Sequence, residues 1–191
     1  MDRVAPLPRQ IGSVICSSFY SQKALDQGVE APLMCRLYFG KKEVRSSPRP
    51  SLFINPINFP LDVARYDLLC NECPNELDLK EEVAEGMGEM LARMHWIAGY
   101  DARDVEFVMA GSPYTAEPQM RAFDKNNGNV SELVNAFFSN DPYYPRPVLT
   151  DSLYTNFKQM YMRSCPEEYR TRGALFLQTI EARYAKQSAT V

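Results

Sequence analysis

Residues 78–99 read DLKEEVAEGMGEMLARMHWIAG, and the reading of this stretch decides the fold. Val83, Met87, Met90, Leu91, Met94 and Ile97 fall three or four apart, so a helix over roughly 79–98 gathers them on one apolar face. Asp78 is placed to cap its start, with Glu81 three residues on as capping-box partner, and Gly99 to stop it. Gly86 and Gly88 lower helix propensity. Their presence on so regular a helix predicts that a neighbouring backbone passes close by.

Downstream, Asp101-Ala-Arg-Asp104-Val-Glu106 is an acidic loop entering a short strand, Phe107 to Ala110, expected to be buried and closed by Gly111. Three helices are expected after it. One covers 130–139 with Leu133, Val134, Phe137 and Phe138. A second covers 151–163 with Leu153, Phe157, Met160 and Tyr161, capped by Thr150 or Asp151. A third begins with Pro166 and runs to about Lys186. A stiff aromatic loop, Asp141 to Pro147, joins the first two, and the tail 187–191 is expected to fray. Upstream, Val14 to Phe19 and Leu33 to Phe39 read as strands, with a hairpin turn at Gly40-Lys41-Lys42. Ser51 to Ile54 resumes a strand, and the prolines from Pro56 to Pro60 oppose regular structure. The expectation is a single helix-rich α+β domain, with a strand and loop region at about 1–75 and a helical core at about 76–186.

A chain of 191 residues, 45% hydrophobic and 24% charged, suits one globular domain with its own core. No apolar run approaches the roughly 20 residues that span a bilayer. The first residues lack a signal core with a cleavage site, so a cytoplasmic chain with five reduced cysteines is expected, and no membrane partner. The net charge of −3 argues against nonspecific nucleic-acid binding and against a DNA partner. Arg36, Lys41, Lys42, Arg45 and Arg49 nevertheless cluster, either as a solvated loop or as a local basic face.

Cys70-Asn-Glu-Cys73 could start a zinc site, but no second C-x-x-C and no paired histidines follow, so no metal site and no cofactor is predicted. There is no G-x-S-x-G and no Walker loop, and a single histidine must serve any nucleophilic scheme. His95 either hydrogen-bonds a carbonyl at the edge of the core or positions a substrate near the acidic loop. Asp101, Asp104 and Glu106 could bind a guanidinium or amine, take a proton, or hold a metal. Alternatively, Asp101 caps a turn while Asp104 and Glu106 pair with Arg93 or Arg103.

Three segments, MGEMLARMHW (87–96), DARDVEFVM (101–109) and FFSNDPYYPRP (137–147), resemble a fungal family, the arginine-containing cyclodipeptide synthases, often labelled "zinc finger protein". The resemblance covers roughly residues 30 to 165. It implies an aminoacyltransferase of secondary metabolism that condenses arginyl-tRNA with a second aminoacyl-tRNA into a cyclic dipeptide, without a cofactor. The family's acidic motif falls on Asp101, Asp104 and Glu106 as catalytic residues, with the spacing D-x-x-D-x-E. Glu106 would accept the α-amine proton, and an aspartate would pair with the guanidinium. His95, Trp96, Tyr143 and Tyr144 would contact substrate, the tyrosines by stacking on a terminal base. Arg36, Lys41, Lys42 and Arg45 would meet tRNA phosphates. The family also implies a strand ending in an Asp-Phe-Asn-like triplet before Gln119, where this chain has Ser112-Pro-Tyr-Thr-Ala-Glu-Pro118. Two other readings stay open. One is a noncatalytic or degenerate member acting as an interaction domain through the 141–147 loop. The other is a kinase-like phosphotransferase relic, since a helix, an acidic loop and a strand follow one another as in the C-terminal lobe of that fold.

Overall fold

The computed structural model describes residues 5–41, 59–111, 129–140 and 142–189, and its architecture is α+β, mostly helical with one small sheet. It divides into two compact units, one from 1–78 with 106–119 and one from 79–105 with 120–191. Among the described residues no helix is long and apolar enough to cross a membrane.

The first unit begins with α1 (Arg9–Phe19), where Val14 to Phe19 was expected to be a strand. The β-branched composition misleads because the spacing of Ile11 and Ile15, four apart and both buried, fits a helix packed on the core. A short α2 (Gln22–Asp26) follows, capped by the Ser21 side chain. β1 (Cys35–Leu37) is the middle strand, parallel to β2 (Phe59–Leu61) and antiparallel to β3 (Val108–Met109). β1 therefore occupies only part of the expected 33–39 strand. β2 falls where prolines were expected to forbid regular structure. It is an edge strand, and an edge tolerates Pro60, which has no N–H to give to a ladder. β3 is the other edge, so Val108 is 40% exposed rather than buried as expected. The Tyr38 carbonyl accepts from the Lys41 N–H at 3.1 Å where a turn was expected, while Lys42 and Ser51 to Ile54 lie outside the described residues. α3 (Val63–Glu72), which the sequence reading passed over, is capped by the Asp62 carboxylate on the Arg65 N–H at 3.0 Å and buries Tyr66 and Leu69.

The second unit is built around α4 (Lys80–Arg93) and α6 (Ser152–Ser164). The cap of α4 sits one residue later than expected. Leu79 is the N-cap residue, and its N–H donates to the Glu82 carboxylate at 2.9 Å. Gly88 lies directly on the backbone of Phe157. Farther along, His95 and Trp96 meet Tyr161, so contacts on both helices advance in the same sense and α4 and α6 run parallel. α5 (Val130–Ser139) and α7 (Arg170–Ser188) complete the unit. Pro166 precedes a single 3-10 turn, Glu167–Tyr169, before α7 starts, instead of opening that helix itself. Phe157, Tyr161 and Phe176 are wholly buried at its centre, the last two stacked at 5.3 Å between ring centres. Glu181 ties α7 to α6 by accepting from the Tyr154 hydroxyl at 2.8 Å and from Lys158 at 2.7 Å.

Candidate functional site

The most unusual backbone lies where α4 ends. Met94–Ala98 forms a π-turn, and Gly99, at φ 77°, closes it as its N–H reaches the Met94 carbonyl. A π-turn inserts an extra residue into the helical repeat, and such turns are frequent at functional sites. Ile97, expected on the buried stripe three residues after Met94, is 64% exposed, and His95 and Trp96 are turned into the core.

There the two side chains form a directed chain of hydrogen bonds. The Trp96 indole N–H can only donate, so the Tyr161 oxygen, 2.8 Å away, accepts from it. That leaves the Tyr161 hydrogen for His95 Nδ1, also at 2.8 Å, in the neutral tautomer that carries its proton on Nε2. Nε2 meets no partner in full hydrogen-bond geometry, although the Asp101 backbone exerts a weaker pull on the ring that favours the charged form. Burial outweighs that pull and lowers the His95 pKa to about 3.

The acidic loop that follows is rigidly held. The Asp101 carboxylate accepts from the Arg103 N–H at 3.0 Å, and Arg103 returns a guanidinium at 3.7 Å. Ala102 adopts φ 58°, a left-handed conformation that costs a non-glycine residue about 1 kcal/mol or more. Asn140, at the end of α5, holds the turn by donating to the Val105 carbonyl at 2.9 Å and the Ala102 carbonyl at 3.4 Å. Asp104 stands exposed beside it.

The other predicted site residues fall elsewhere. Glu106 belongs to the first unit, where it pairs with Arg36 at 3.0 Å; both side chains are partly exposed, and such a pair contributes little to stability. Lys41 covers the Tyr38 ring at 4.4 Å, and Lys42 and Arg45 lie outside the described residues. Tyr143 and Tyr144 are each 1% exposed, and Tyr144 stacks on Phe137 at 5.5 Å inside the second unit. Burial pushes up the thiols of Cys16, Cys73 and Cys165, and that of Cys35 to about 12, which disfavours thiolates. Cys70 sits in α3 with its sulfur 3.8 Å from the Asp78 carbonyl oxygen, and Cys73 is buried at the helix end. Among the described residues no three of His, Cys, Asp and Glu converge as metal ligands.

What the sequence reading missed is a groove. Glu89, Arg93 and Ile97, four apart along α4 and its π-turn, face Met160, Arg163 and Ser164 of α6 across an open space of about 510 Å³. Arg93 is held by Glu89 at 2.7 Å. Arg163 has no ion-pair partner among the described residues. The spacing of 89, 93 and 97 was visible as a helical row, but the residues of α6 that face it were not.

A family model described as "Zinc finger protein" (DUF3669) matches residues 118–172, under a third of the chain. No curated protein matches the chain, and no solved structure does. These findings correct the resemblance to the arginine-containing cyclodipeptide synthases: nothing in them indicates that family. Two of the three segments that carried it, 87–96 and 101–109, lie outside the matched region. The physical reason is that their most distinctive residues, His95 and Trp96, are core-forming, and core residues mark a packing arrangement and not a chemistry. The chain is thus similar, over α5, α6 and the loop between them, to the family described as "Zinc finger protein".

Proposed function

We propose that the chain is a noncatalytic interaction domain that docks a protein segment along the groove between α4 and α6. The observation that carries this reading is Ile97, which stands 64% exposed in the groove it shares with Met160 while His95, two residues before it, is in the core. An exposed apolar residue of that size, in a groove it shares with two arginines, has the form of a peptide-binding anchor site. The one histidine is neutral and enclosed, and burial raises the pKa of four of the five thiols, which disfavours nucleophilic chemistry at them.

Charge selects the occupant. Arg93 and Arg163 outnumber Glu89, and Arg93 is already engaged by it, so Arg163 is the cation left to a ligand. The fitting partner is a segment that offers one carboxylate to Arg163 and one apolar side chain to Ile97 and Met160.

Selection of random peptides displayed on phage tests this reading. Peptides pairing an acidic with an apolar residue are expected, and their binding should fall by roughly tenfold or more in Ile97→Asp and in Arg163→Glu. Glu106→Gln, in the first unit, should leave binding unchanged. Peptides that bind equally well to Ile97→Asp, or a selection without acidic-apolar enrichment, would overturn the assignment.

A further inference from the structure

A second feature of the helical unit lies around Phe138, near the end of α5. Arg183 of α7 holds its guanidinium carbon 4.5 Å from the centre of that ring. Arg146, from the loop after α5, lies 5.9 Å from the same ring and 5.7 Å from Phe137. Two cations from separate elements are therefore drawn to one aromatic side chain. Arg183 also donates to the Asn135 side-chain oxygen at 2.9 Å, which leaves the Asn135 amide N–H groups as the free polar function of that residue.

The charges around this ring do not balance. The ion pairs formed among the described residues include neither Arg146 nor Arg183. Glu181, two residues before Arg183, is already committed to Lys158 and Tyr154. Burial lowers the Arg146 pKa, the sign of a guanidinium that has lost water without gaining a carboxylate. The aromatic faces offset part of that cost, yet a half-buried cation is best satisfied by a counter-charge.

We propose that Arg146 and Arg183, with the amide of Asn135, form a receptor for a phosphate dianion. Each of the three can present N–H donors, and two planar guanidinium forks match the charge and oxygen count of a phosphate monoester better than those of a single carboxylate. The site is independent of the α4/α6 groove, and neither assignment rests on the other.

The test is thermal unfolding of the full chain in sodium phosphate against sodium chloride at matched ionic strength, near pH 7.5, where phosphate is mostly dianionic. A phosphate-specific rise in Tm is expected, because a ligand that binds only the folded state stabilises it by mass action. Arg183→Gln should weaken the apparent affinity by roughly tenfold, whereas Arg172→Gln, on an exposed part of α7, should leave it unchanged. If Arg183→Gln is too unstable to titrate, Arg183→Lys keeps the charge but loses the fork, and it must show the weakened response. Phosphoserine and adenosine monophosphate, titrated alongside, identify the source: tighter binding of one names the carrier of the group, and binding no tighter than inorganic phosphate names the free ion. Equal responses to phosphate and chloride, or a full response in both Arg183 variants, would overturn the proposal.

Discussion

Gly88→Ala is expected to destabilise the protein by about 3 kcal/mol, while Gly86→Ala, two residues earlier on the same helix, should stabilise it by about 0.5–1 kcal/mol. Both changes remove the same conformational freedom from the unfolded chain and both improve helix propensity, so the opposite signs isolate what lies outside the helix. A Cβ at 88 would overlap the Phe157 carbonyl oxygen and approach its carbonyl carbon at 3.0 Å and its Cα at 3.2 Å. Those are backbone atoms of α6 and have no rotamer by which to withdraw. The helices must separate, and the enclosed Phe157 and Tyr161 would lose packing along with them. At 86, which is exposed, nothing lies within 4 Å of the added methyl. Urea unfolding of the two variants beside wild type checks the pair. If the midpoint of Gly88→Ala is unchanged, α4 and α6 do not touch through their backbones and the parallel packing described above is wrong.

The same pair of glycines shows how far the sequence could be read. That some backbone passes close to α4 followed from Gly86 and Gly88 together, because a helix loses stability at each. Which of the two makes the contact depends on α6, some 70 residues away, and no local pattern carries that. The apolar spacing of α4 held through Leu91, then misplaced Ile97. At the π-turn the Tyr161 hydroxyl fastens both His95 and Trp96, from 66 and 65 positions away. A turn cap was one of the two roles the sequence offered for Asp101, and it could be read there because the partner is only two residues on. Tyr143 and Tyr144 were not: a proline-bracketed segment reads as an exposed loop, yet both rings are buried, with Tyr144 stacked on Phe137. At the N-terminus the composition of Val14 to Phe19 favoured a strand, and burial of Ile11 and Ile15 decided for a helix. Local pairings were readable, then, and those that depend on a second helix were not.

The second large effect is a pH dependence that belongs to one residue. His95 is the only histidine of the chain, and no other side chain has its ordinary pKa between pH 5 and 7. Its folded-state pKa, about 3, lies below the unfolded value of about 6.5, so at intermediate pH the unfolded chain binds more protons than the folded one. The stabilisation from the neutral buried ring is therefore complete above pH 6.5 and is lost as pH falls from there toward 3. The slope is about 1.4 kcal/mol per pH unit, which gives about 2 kcal/mol between pH 6.5 and 5, before most carboxylates begin to titrate. The local chemistry explains why the ring resists a proton. Protonation would place a hydrogen on Nδ1, facing a Tyr161 hydroxyl that already donates there. For Tyr161 to accept from Nδ1 as it does from Trp96, its own hydrogen must turn away from the ring and give up the bond it donates there. His95→Asn keeps an acceptor for Tyr161 and has no ionisable ring, so its stability should be lower at pH 7 but nearly level from pH 7 to 5. Urea midpoints across that range compare the two chains. A wild-type curve as flat as that of His95→Asn would mean that His95 reaches solvent and takes up its proton in the folded state. In that event the exclusion of His95 from chemistry at the acidic loop would fail, and an acid–base role for it beside Asp101 would reopen.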